Sequence, residues 1–64
     1  MNKRAIRKDR ERLAIEARHL IQMARIHLKY NDPGYAILSA EAAAETTEEF
    51  LTRVREEVGY GDQD

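Results

Sequence analysis

Two sets of side chains in this 64-residue chain have the types and spacing for chemistry. The first is Glu16-Ala17-Arg18-His19, a Glu-x-x-His whose carboxylate and imidazole stand one helical turn apart. Di-metal carboxylate bundles use two such pairs, with one further Glu from each remaining helix. Two copies of this chain would supply Glu16 and His19 twice, and Glu45 or Glu48 would complete the set. The motif is short, and a chain this rich in Glu produces it by chance. The plainer reading is a solvent-facing Glu and a boundary His, so no metal and no other cofactor is expected.

The second set is basic. Lys3, Arg4, Arg7, Lys8, Arg10 and Arg12 crowd the first dozen residues, and Arg18, Arg25 and Lys29 continue one helical face with Arg4 and Arg7. Phosphate backbones are held by cations spaced along a rigid face. Lys3, Arg4, Arg7, Arg18 and Arg25 are therefore the candidate nucleic-acid-binding residues. The net charge of −1 points the other way, as does the shortage of aromatic rings for stacking on bases. The plainer reading is a solvated helix neutralised by acidic partners. Likewise, Glu41, Glu45, Glu48 and Glu49 read as a solvated acidic face. Ser39, Thr46, Thr47 and Thr52 are the non-phenolic hydroxyls, and neither histidine lies near them in sequence. Without a nucleophile–base pair or a glycine-rich phosphate loop, no enzymatic activity is expected.

The elements that must carry these residues are two helices. The chain breaks once, at Asn31-Asp32-Pro33-Gly34, and the halves differ in charge. Residues 1–30 hold nine Lys/Arg against three Asp/Glu, and residues 31–64 hold two against nine. The first helix is expected over about 3–30 and the second over about 33–58. Asn31 closes the first in a left-handed conformation, Asp32 caps the second, and Pro33 sits where a missing N–H costs nothing. Gly59 is the natural stop, so residues 1–58 form one domain and 59–64 a flexible tail. A link this short makes the helices antiparallel neighbours.

Sevenfold repeats mark a core stripe on each helix. On the first the repeat is Ile6, Leu13, Leu20, His27, with Arg10, Ala17 and Ala24 interleaved. On the second it is Ile37, Ala44, Leu51, Val58, with Ala40, Thr47 and Val54 interleaved and Ala43 and Phe50 widening it. His27 reads as a half-buried histidine hydrogen-bonded to a carbonyl, and Arg10 as a snorkelling residue near the bundle end. Ile15, Met23, Ile26 and Tyr30, with His19 among them, form a second apolar stripe on the first helix.

A two-helix fold of this size cannot bury its apolar surface alone, and small folds recover stability from disulfides, metals or self-association. The chain has no cysteine, which removes disulfides and fits a reducing, cytoplasmic setting. No apolar run approaches the roughly 20 residues that span a bilayer, and no apolar segment follows the basic start as in a signal peptide. A homodimer forming a four-helix bundle is therefore expected, with Leu13, Ala17, Leu20, Ala24, Ala44 and Leu51 at its interface.

The mid-chain turn, the alternation of small and large core residues, and the short Gly/Asp-containing tail resemble Rop-type helical-hairpin RNA-binding proteins. That resemblance implies a dimeric four-helix bundle contacting RNA through its first helix, here through Lys3, Arg7, Arg18 and Arg25. Ala14 and Ile15 stand where an aromatic residue is expected on that face. A fainter similarity, to HEPN-type helical domains, rests on Gly34-Tyr35-Ala36-Ile37-Leu38, Ala42-Ala43-Ala44-Glu45 and the spacing of Arg12 and His19. The chain is about half the length of such a domain. Together these readings predict a small non-enzymatic adaptor or regulatory protein acting through a homo-oligomeric bundle surface. A nucleic-acid-binding modulator is the first alternative and a di-metal bundle the second.

Overall fold

In a computed structural model, which describes residues 2–59, the chain is an all-α hairpin of two antiparallel helices packed side by side. Helix α1 spans Lys3–Lys29 and α2 spans Pro33–Glu57. Neither contains an internal proline, and only Gly34, in the first turn of α2, interrupts their side-chain-bearing runs. Asn2 caps α1: its extended backbone stops the helix, and its side-chain oxygen accepts the Ala5 N–H at 2.8 Å.

The corner is a Schellman motif. Asn31 has φ 61°, the Asn31 N–H donates to the Leu28 carbonyl at 3.1 Å, and the Asp32 N–H donates to the His27 carbonyl at 2.7 Å. Asn is one of the few non-glycine residues that enters this region readily. Asp32 precedes α2 as expected, but its side chain makes no capping hydrogen bond. Its backbone is taken up by the corner, and its carboxylate lies 3.8 Å from His27 Nδ1. At the other end Gly59, with φ 73°, closes α2 one residue after Val58. Residues 60–64, most of the expected tail, lie outside the described residues. Among the described residues, no helix is long and apolar enough to cross a membrane.

The α1 stripe forms as its spacing requires. Ile6 and Leu13 are buried, and Arg10, Ala17, Leu20, Ala24 and His27 are half-buried. The α2 stripe is rotated by one residue from its expected position. The buried residues are Ala36, Ala43 and Thr46, with Ser39, Phe50 and Arg53 half-buried beside them. Ile37 is 58 % exposed and Val58 65 %, while Ala40, Ala44 and Thr47 also face solvent. Alanines at the contact let the backbones approach, and α1 supplies the bulk through Ile6, Leu13 and Leu20. Turning α2 the other way would bring Leu51 towards Leu13 and Ile37 towards Ala24. Ion pairs bridge the helices at the open end in this rotation: Asp9 meets Arg53 at 2.6 Å and Arg10 meets Glu57 at 2.6 Å.

Candidate functional site

One broad side of the hairpin is apolar and uncovered. Along α1 it carries Ala17, Ile21, Ala24 and Leu28, residues three or four apart and so on one face. Along α2 it carries Ile37, Ala40, Ala44, Thr47 and Leu51, again at helical spacing. Between the helices the surface sinks into a groove of about 460 Å³, lined by Ile21, Ala24 and Leu28 on one wall and Ala40, Ala43, Ala44 and Thr47 on the other. Ile21 is 51 % exposed and Leu28 64 %. Single exposed apolar side chains are ordinary on a protein surface, whereas a contiguous row on two helices marks an interaction face.

Charges rim this face with opposite sign. Arg18 and Arg25 stand one heptad apart along the α1 edge, and Glu41 and Glu48 one heptad apart along the α2 edge. Arg25 and Glu48 also line the groove. None of the four has an ion-pair partner among the described residues. Arg25 donates only a long 3.4 Å hydrogen bond to Gln22.

The open end is different. Glu57 receives Arg10 at 2.6 Å and Arg7 at 3.3 Å, and Asp9 receives Arg53 at 2.6 Å and Arg12 at 2.8 Å. Arg10 also reaches Glu11, Arg12 reaches Glu16, and Arg53 reaches Glu56. Arg10 is thus held by two carboxylates rather than snorkelling to water. Arg7 and Arg10 reach across to Glu57, while Glu56 pairs with Arg53 of its own helix and Glu11 with Arg10 of its own helix. Hydrogen bonds from Arg53 and then Arg12 hold the Asp9 carboxyl below its ordinary value. The hydrogen bond from Arg10, with a second from Arg7, does the same for Glu57.

A carboxyl with a lowered folded-state pKa stabilises the fold above its unfolded value, about 4, and loses that contribution as pH falls through the lower folded value. The hairpin should therefore lose stability on acidification below about pH 4. Asp9→Asn combined with Glu57→Gln should flatten that dependence in thermal melts followed by circular dichroism. An equally steep acid limb in the double variant would show that these pairs do not set it.

The sequence-marked residues fall in several places. Lys3, Arg4, Lys8, Arg18 and Lys29 are exposed. Arg7, Arg10 and Arg12, which belong to the same basic cluster, are engaged in the ion pairs above. Ile15, Arg18, His19 and Gln22 line a shallow hollow on the outer side of α1, away from α2. Ile15, Ile26 and Tyr30 of the second stripe are exposed and Met23 is half-buried. His27, rather than bonding a carbonyl through its ring, lies against Tyr35 with ring centroids 5.6 Å apart and has Asp32 at 3.8 Å. Glu16 and His19 stay on the exterior, as do Glu45 and Glu48, and no group of three His/Asp/Glu able to hold a metal gathers among the described residues.

Of the expected interface residues, Leu13 is taken up by the hairpin's own core, at 2 % exposure. Ala17, Leu20 and Ala24 are half-buried, and Ala44 and Leu51 lie open on the apolar side. Ile21 and Leu28 were not marked by the heptad pattern, although they repeat with Ala17 and Ala24 at i, i+4, i+7 and i+11. With Rop-type hairpins the chain shares the two-helix antiparallel architecture. Compared with known protein families, characterised proteins and solved structures, the chain matches none.

Proposed function

We propose that this protein is a small non-enzymatic adaptor or regulatory protein whose working surface is made by self-association of the hairpin. The supporting observation is the open apolar side built from Ile21, Ala24 and Leu28 on α1 and Ile37, Ala40 and Ala44 on α2. Two helices give each other only one contact, and the remaining apolar face needs a cover. A four-helix bundle supplies it, and leaves the outer faces of both hairpins to meet other molecules.

A second reading is a nucleic-acid-binding modulator. It is favoured by Arg4, Lys8, Arg18 and Arg25, which have no ion-pair partner among the described residues and are distributed along about 30 Å of α1. It is weakened by the engagement of Arg7, Arg10 and Arg12 with carboxylates. Retention on immobilised RNA and DNA at about 50 mM salt separates the two readings. The adaptor reading expects no retention. Retention that falls steeply with salt, and is lost in Arg18→Glu with Arg25→Glu, would establish the second reading instead.

A further inference from the structure

We propose that a second copy of this chain covers the apolar side with its α1 lying over the α2 of the first, and not α1 over α1. The proposal rests on the self-association reading above and adds to it the arrangement of the two copies. In this arrangement the two-fold axis runs parallel to the helices, and every neighbouring pair of helices is antiparallel. In the other face-to-face arrangement the axis crosses the helices at right angles, so each helix meets its own counterpart.

Charge distinguishes the two. The α1 edge of the face carries Arg18 and Arg25, and the α2 edge carries Glu41 and Glu48, all exposed and without ion-pair partners among the described residues. Laying α1 over α2 brings each basic edge to an acidic one. Laying α1 over α1 brings arginine to arginine and glutamate to glutamate, a juxtaposition that disfavours the pairing.

Register and shape agree with this choice. Within the hairpin, Asp9 faces Arg53 and His27 faces Tyr35, so residues whose numbers add to about 62 lie at one height. An axis parallel to the helices adds no shift, and the same register then holds between copies. It sets Ile21 of one copy level with the gap between Ala40 and Ala44 of the other. It sets Arg18 between Glu41 and Glu48, within reach of both. Large side chains on α1 thus meet small ones on α2, as interdigitated layers require. With α1 over α1, the large side chains Ile21 and Leu28 would crowd against the large side chains of the other α1 while the alanines of α2 met alanines. The broad side measures 49 by 19 Å between Cα positions, and its apolar stretch runs along about 25 Å of it at about 1.5 Å per residue, from the level of Leu51 to that of Leu28.

Charge swapping tests the arrangement. The measurements are the dissociation constant from sedimentation at graded concentration and the helical circular dichroism of each protein. Arg18→Glu with Arg25→Glu should weaken self-association at least tenfold, and so should Glu41→Lys with Glu48→Lys. All four substitutions together should bring the constant back to within about threefold of the parent, because every cross-copy pair is opposite in sign again. A parent that dimerises while neither double variant weakens it would overturn the arrangement and leave self-association standing. The same holds if the quadruple variant stays as weak as the doubles with its helix signal intact. A parent that remains monomeric would remove both. If a double variant loses helix signal, the quadruple variant carries the test, since recovery requires the proposed pairing.

Discussion

Leu13→Ala should be the most damaging single truncation within the hairpin. Among the described residues Leu13 is the one large side chain that is essentially fully enclosed, at 2 % exposure, and it lies in the half of α1 nearer the open end. Truncating such a leucine costs about 2–5 kcal/mol, part of it transfer and part the void left behind. A domain of this size has only about 3–10 kcal/mol of stability to lose. On α2 the inward-facing residues nearest its level are Thr46, which is short, and Phe50, whose rigid ring is already half-buried. Urea denaturation followed by circular dichroism should show the midpoint collapsing, while Leu38→Ala, at 59 % exposure, changes stability by no more than about 0.5 kcal/mol. Equal effects of the two substitutions would mean that the helices do not pack through the Leu13 face.

The second large effect belongs to the open face. Ile21→Glu adds a carboxylate at the centre of the groove wall, where Ile21 is 51 % exposed in the single hairpin. In an isolated hairpin water would still reach that carboxylate, and the helix would tolerate it. In the bundle the same carboxylate would be enclosed by Ala40 and Ala44 of the other copy, and the nearest cations, Arg18 and Arg25 one turn away on its own helix, could pair with it only by giving up the glutamates of the other copy. Burying a charge at the expense of cross-copy pairing is unfavourable by several kcal/mol. Self-association should therefore weaken by at least about a hundredfold, the equivalent of about 2.7 kcal/mol. Ile15→Glu, on the outer side of α1 at 66 % exposure, should leave association unchanged. The dissociation constants of the two variants give the comparison, and matching constants would mean that the groove is not the contact.

Much of the fold was legible because its signals are local. Asn31 before Asp-Pro-Gly marks a helix end that only a few residue types can make, and the left-handed Asn31 and the corner hydrogen bonds follow from it. The α1 stripe was legible for a similar reason: Ile6, Leu13 and Leu20 are the large members of one unbroken sevenfold repeat.

The rotation of α2 was not legible. Ala36, Ala43 and Phe50 form one heptad series and Ile37, Ala44 and Leu51 form the next, and both are apolar. Hydrophobicity favours the second, but the hairpin uses the first, with Ala36 and Ala43 buried and Phe50 half-buried. That choice depends on the partner helix, which periodicity along one helix does not describe. The same ambiguity hid the site. Once α2 turns by one residue, Ile37, Ala44 and Leu51 leave the inner contact and join Ile21 and Leu28 on the open side. The pairing of Asp9 with Arg53 was hidden too, since it depends on the rotation and not on sequence separation.

The most direct test of the account is the molar mass of the unmodified protein in solution, by light scattering over micromolar to submillimolar concentration. Self-association through the apolar side predicts a species of twice the 7.4 kDa chain mass that dissociates on dilution and melts at a temperature rising with concentration. A 7.4 kDa species throughout, with a sharp melting transition independent of concentration, would contradict it.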